Sequence, residues 1–261
     1  MKKNLKFLLS TLALVGFIAT SNAQLIDEKD VAVTLDLQPV LQLDMTTANQ
    51  LEFVFDDINE YYAGITQYAA TILKVSSSVS WDLYAVGRSS GATAAGFWDQ
   101  QIDYGDDNTN AIDQLPLSLL ELRQSQPNNG AGGAGGTFTD YSAAFSANGV
   151  ASGANSLYVN GGTITPPTTN DKYIAGHFGT SGTAGQDFMP GGSYLTQTGT
   201  TSDYYYAIDY RILPGLPAIF PNAHSADGAS AQDIVTSNGA GTYAEPGVYT
   251  MYVQYILLED Q

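Results

Sequence analysis

Apolar and polar residues alternate with a period of two from Val31 onward, where Val31, Val33, Leu35 and Leu37 stand against Ala32, Thr34, Asp36 and Gln38. After Pro39 the pattern resumes with Leu41 and Leu43 against Gln42 and Asp44. That period places alternate side chains on opposite faces of a strand, so the spacing predicts a half-buried strand interrupted by an edge-type proline. The alternation returns in Leu51, Phe53 and Phe55, in Ile72 to Val75, and in Val79, Trp81, Leu83 and Ala85. Strands met in succession predict antiparallel neighbours. Further strands are expected over Leu117 to Arg123, Tyr173 to Phe178, Tyr204 to Leu213 and Val248 to Leu258, all rich in Tyr, Ile and Val and bounded by Gly, Pro, Asn or Asp. No stretch beyond the N-terminal segment offers a helical apolar stripe, so the pattern predicts an all-β fold, a sandwich or a barrel.

The middle of the chain breaks this rhythm. Gln126 to Gly136 and Asn148 to Thr169 are poor in large apolar residues and rich in Gly, Asn, Thr and Ser, the composition of long surface loops. Phe138, Tyr141 and Phe145 lie between them, placed to pin a short hairpin. Residues 126–170 therefore read as a Gly/Pro-rich insertion into one domain spanning 24–261. The glycine runs lack the Lys-Ser/Thr ending and the following helix of a phosphate-binding loop.

The N-terminus carries different information. Lys2, Lys3 and Lys6 precede an apolar run from Phe7 to Ala19, and Ser21 and Ala23 supply the small residues that a signal peptidase requires. Residues 1–23 are thus expected to be a signal peptide, giving an exported protein that acts in the periplasm, at the cell surface or outside the cell. The chain has no cysteine, which removes disulfides, thiolate metal sites and a lipid-anchoring cysteine. It carries 26 acidic and nine basic residues, and loss of the signal takes three of the latter, leaving a net charge of about −20. Such a charge repels nucleic acid and anionic lipid and keeps exported chains soluble and apart. No transmembrane segment is expected in the mature chain.

Candidate chemistry is sparse. Asp106, Asn108, Asn110 and Asp113 form the densest run of oxygen ligands, with the first three spaced to wrap a loop around calcium. Ala111 and Leu117 occupy the positions where an EF-hand needs Gly and a bidentate Glu, so the run reads as an Asx-rich turn, with a looser calcium-stabilised loop as the alternative. No other cofactor is expected. Asp56, Asp57 and Glu60 read as a solvated strand end followed by a turn. The two histidines, His177 and His224, sit in no nucleophile or metal motif, and the familiar hydrolase signatures are missing from the sequence. Trp81 shares its alternation with Val79 and Leu83 and is expected in the core. Trp98, which follows Phe97, and the successive Tyr204, Tyr205 and Tyr206 put rings on both faces of a strand or loop, so some are expected at the surface to contact glycans or protein.

Ser80-Trp81-Asp82-Leu83-Tyr84-Ala85, together with the ending from Pro246 to Tyr255 (PGVYTMYVQY), resembles exported bacterial surface β-sandwich domains of the fimbrial, spore-coat and WxL type. The resemblance covers these two segments. The second Trp-x-Leu with which the WxL group binds cell walls is missing, since Trp98 is followed by Asp99 and Gln100. The resemblance implies an antiparallel immunoglobulin-like sandwich with a structural, adhesive or assembly role. Expected partners are other protein subunits or surface glycans. Two other classes fit the same residues: a carbohydrate-binding or carbohydrate-cleaving protein with Tyr, Trp and carboxylates in one cleft, and an outer-membrane barrel. Irregular strand spacing, the long insertion and the Glu-Asp-Gln ending count against the barrel.

Overall fold

The computed structural model describes residues 27–78, 81–91, 96–105, 108–125, 141, 144–145, 155–159, 173–175, 205–212, 239 and 241–259. They belong to two units that meet in sequence between Gln38 and Pro39. The signal segment 1–23, both histidines, Asp106, Tyr204 and most of the insertion lie outside the described residues.

In the first unit, residues 27–38 form no strand, and Val31, Val33, Leu35 and Leu37 are 84, 87, 77 and 80% exposed. The alternation predicts a half-buried strand here, which the structure corrects. A strand satisfies its backbone only through a neighbour, and this segment forms no ladder among the described residues. Its polar side chains interact locally, Lys29 with Asp27 at 3.6 Å and Gln38 with Asp36.

The second unit contains β1 (Leu41–Met45), α1 (Ile58–Ala63), β2 (Ile65–Ser77), β3 (Trp81–Arg88), β4 (Asp99–Asp103) and β5 (Ala111–Ile112). A 3-10 turn (Leu117–Leu119) follows, then β6 (Leu120–Gln124), β7 (Tyr158–Val159), β8 (Tyr173–Ala175), β9 (Tyr205–Ile212), β10 (Tyr243–Ala244), β11 (Gly247–Thr250) and β12 (Tyr252–Glu259). The fold is all-β and mostly antiparallel, with α1 its one short α-helix among the described residues. A first sheet runs β1-β2-β9-β6, and a second runs β12-β3-β7 with β8 also on β3. β4 pairs with β11 and β5 with β10 in two small ladders. No helix among the described residues is long and apolar enough to cross a membrane.

The two larger sheets share one core. Leu73 and Val75 of β2, Leu120 and Leu122 of β6, and Tyr206, Ile208, Tyr210 and Ile212 of β9 pack with Trp81, Leu83 and Ala85 of β3. Period-two alternation produces this directly, because alternate positions on each strand face inward. Hydroxyl groups join the sheets as well. Tyr210 donates to Thr71 Oγ1 at 2.6 Å and also meets the Tyr255 hydroxyl of β12, and burial raises the pKa of both tyrosines. Residues 155–159 cross from one sheet to the other. Ser156 bridges to Glu121 of β6, Leu157 N donates to Leu120 O, and the chain then enters β7 beside β3.

Several elements depart from the sequence pattern. β2 and β3 are consecutive yet lie in different sheets, so succession does not make them neighbours. Residues 51–55 form no ladder; Phe53 and Phe55 pack against the core while Leu51 and Val54 face solvent. After them comes α1, where the sequence reading has only a turn. Its capping box is complete: Asp57 accepts from Asn59 N at 2.7 Å, and Glu60 accepts from Asp57 N at 3.1 Å. Gly64 ends the helix at φ 75°, a conformation that glycine adopts without strain. The stretch Val248 to Leu258 is two strands, β11 on β4 and β12 on β3.

Candidate functional site

The loop singled out for calcium is built by short-range hydrogen bonds. Asn108 Oδ1 accepts from Asn110 N at 3.1 Å and Asn108 O accepts from Ala111 N at 2.9 Å, an Asx turn that leads into β5. Asn108 and Asn110 are exposed, Asp113 is half-buried, and Asp106 lies outside the described residues. Among the described residues, no three acidic or histidine side chains converge as metal ligands.

Asp113 instead belongs to a grouping that spacing alone does not show. Glu245 N donates to Ile112 O, Tyr104 N donates to Pro246 O, and Gly247 lies opposite Asp103 in the β4–β11 ladder. These bonds bring Glu245 beside Asp103 and near Asp113, from which it is far removed in the sequence. The pKa of Glu245 is raised, first by desolvation and then by the charge of Asp103, a hydrogen bond with Asp103 and the charge of Asp113. Tyr249 is shifted upward too, by burial and by Glu245. Its hydroxyl donates to Glu245 O at 2.7 Å and accepts from Gln100. Gly247 permits the close approach, since a Cβ there would meet Ile102 O at 2.5 Å.

A raised carboxyl pKa stabilises the fold at low pH, and that contribution is lost as pH rises through the folded-state value. Glu245→Gln keeps the side chain neutral throughout. It is therefore expected to melt above the parent at pH 7, with the gap closing as pH falls through the raised folded-state value and closed at an acidic pH below it, where the parent's glutamate is protonated as well. Thermal melts at the two pH values check this, and a gap that widens on acidification would contradict the assignment.

The aromatic candidates separate sharply. Tyr206 is fully buried and packs edge-on against Trp81 with ring centroids 5.9 Å apart. It is a core residue, a correction to its expected interaction role, because successive residues of β9 face opposite sides and its side is the inner one. Tyr205 lies on the other side, half-buried, with Lys74 Nζ 6.0 Å from its ring. Trp98 is half-buried and packs between the main core and a small second one of Leu115, Leu119 and Ala244. The well-exposed rings among the described residues are others, Tyr68, Tyr104 and Tyr252.

Among the described residues, one long strand is hydrogen-bonded to a neighbouring strand on one side only, although β1 of the first sheet comes close to it. β12 is eight residues long and pairs along one side with β3, from Tyr252 opposite Arg88 to Glu259 opposite Trp81, with no shift of register. Its other side has no strand partner among the described residues. Val253, Tyr255 and Leu257 line the inward face and are only partly buried against the core. The sequence did contain a sign of this strand. Val248 and Val253 are an odd number of residues apart, so no single flat strand puts both on one face, and the break falls at Met251.

The sequence matches no protein-family model and no curated protein.

Proposed function

We propose that this chain is an exported, non-enzymatic structural or adhesive protein, an immunoglobulin-like sandwich that joins an extracellular assembly through an open sheet edge. The observation that carries this reading is the character of β12. Edge strands of monomeric proteins are blunted by lysine, proline, bulges or short length. Tyr252–Glu259 has no lysine, arginine or proline, no bulge, and eight residues in unbroken register. A regular, largely apolar edge of this length templates addition of another strand, with main-chain bonds giving affinity and alternate side chains giving selectivity. Two sheets sharing one core, closed on one flank by residues 155–159, support the sandwich architecture.

Sedimentation of the exported protein across a concentration series tests the reading. Association is expected in the micromolar range, and Ile256→Lys on β12 is expected to weaken it at least tenfold by adding the missing edge charge. A parent protein that stays monomeric at the highest concentration would overturn the proposal.

A further inference from the structure

Ala69 is the one non-glycine residue with a positive φ among the described residues, at 49°, and it follows their most exposed aromatic ring, Tyr68, which is 73% exposed. Both belong to the bulge of β2, where Tyr68, Ala69 and Ala70 stand against Asp209 alone. Gln67 lies opposite Tyr210, whose side chain faces the core, so alternation turns Tyr68 to the outer side of the first sheet, where Asp209 also lies. Asp209 is buried and serves two neighbours. Its Oδ1 accepts from Ala69 N at 2.8 Å, and its Oδ2 faces Arg123 Nη1 of β6 at 3.9 Å. A left-handed alanine and a buried carboxylate both cost free energy, and what they hold in place is a ring that contributes little to the core. Bulges re-aim side chains in this way beside functional sites.

We infer that the outer side of the first sheet binds a neutral saccharide, with Tyr68 stacking on one sugar ring and Arg123 donating hydrogen bonds to the hydroxyls of the next. Asp209 is the positioning residue for both. Arg211 spends its Nε and Nη2 on Glu121, whereas Arg123 is one-third exposed, its contact with Asp209 is too long for a direct hydrogen bond, and its Nε has no hydrogen-bond partner among the described residues. β2 and β6 flank β9, which puts Tyr68 and Arg123 about 10 Å apart across the sheet, a spacing that adjacent rings of an oligosaccharide reach. An aromatic anchor in a protein interface is surrounded by apolar contacts that exclude water. Beside Tyr68 stand Gln67 and Ala69, and Gln67 Nε2 meets Glu52 O at 3.4 Å, so the ring rises from small and polar residues. That setting suits a ligand with a C–H face and a hydroxyl edge. The mature chain's charge of about −20 selects neutral over acidic glycans. This surface belongs to the first sheet and does not depend on β12.

An array of neutral α- and β-linked oligosaccharides, with uronic-acid oligosaccharides for comparison, tests the inference. The parent is expected to bind neutral members and none of the acidic ones. Tyr68→Ala is expected to weaken binding by about tenfold or more, and Arg123→Ala by about tenfold, while Tyr68→Trp keeps a stacking face and retains it. The melting curve of Tyr68→Ala is expected to match the parent's, because the ring is in water. Asp209→Asn keeps an oxygen for Ala69 N but removes the charge facing Arg123, so it is expected to shift the array toward acidic members, a change that loss of structure alone does not produce. Binding that survives Tyr68→Ala, or no binding to any neutral member, would overturn the inference. If Tyr68→Ala instead weakens self-association in sedimentation, the ring is a protein contact and the inference fails as well. The reading of β12 is judged separately, by Ile256→Lys.

Discussion

Trp81→Ala is expected to lower the unfolding free energy by about 3–5 kcal/mol and the melting temperature by about 10 °C or more. The indole is fully buried at the start of β3 and meets Tyr206 of β9 edge-on, so it touches both sheets at once. Its removal takes away a large transfer contribution and leaves a cavity between elements that cannot close independently, because each is fixed in its own ladder. Trp81→Phe keeps an aromatic edge against Tyr206 and is expected to cost about 1–2 kcal/mol. Urea unfolding followed by far-UV circular dichroism measures both, since fluorescence would lose one of the two tryptophans. A midpoint shift at constant slope is the expected form of the change. A loss under 1 kcal/mol for the alanine variant would show that the two sheets repack around the gap.

The placement of Trp81 was legible because one strand of regular alternation needs no information from elsewhere. The same holds for the 41–43 run, for 72–75 and for 205–212, all of which lie in ladders of the first sheet. What failed did so where a partner decides the outcome. Residues 31–37 and 51–55 alternate as well as any ladder strand does, yet they form no ladder, since period two reports a face and says nothing of a neighbour. β2 was seen only in its last part for a related reason. A bulge between Gln67 and Thr71 breaks its register, Ala69 takes a positive φ of 49°, and Asp209 holds the bulge by accepting from Ala69 N at 2.8 Å. No local pattern marks a bulge whose anchor is 140 residues away. By contrast, Asp57 and Glu60 carry the spacing of a capping box, so α1 was open to recognition from local residues alone.

Candidate chemistry followed the same division. The Asn108 turn was readable because its hydrogen bonds join residues two and three apart. Glu245 comes beside Asp103 and Asp113 only because β4 pairs with β11 and β5 with β10, contacts between the middle of the chain and its C-terminal part that alternation does not encode. The edge of β12 belongs to this second kind. Whether a strand is central or marginal is a property of the sheet, and the side chains of Tyr252–Glu259 read alike in either place.

The second large effect is expected on the outer side of the first sheet. Arg211 of β9 stands opposite Glu121 of β6, with Nη2 and Nε at 2.6 and 2.7 Å from the same carboxylate oxygen, and the two side chains are 2% and 3% exposed. The guanidinium also lies 4.5 Å from the Phe145 ring. Burying two charges costs several kcal/mol per ion, and the attraction offsets that cost only while both are present. Glu121→Ala is therefore expected to destabilise by about 3–5 kcal/mol, because it strands a guanidinium that cannot lose its proton. Replacing the pair together, Glu121→Leu with Arg211→Met, removes both desolvation costs and is expected to fall within about 1 kcal/mol of the parent, or above it. Arg123, two residue pairs along the same ladder, is one-third exposed and 3.9 Å from buried Asp209, so Arg123→Ala is expected to cost about 1 kcal/mol or less. Denaturant titration of the single and double variants resolves the coupling between Glu121 and Arg211. A double variant less stable than Glu121→Ala would show that the ion pair stabilises the sheet outright; one that matches the parent would show that its stability does not depend on these charges, leaving their contribution in the register of β6 against β9.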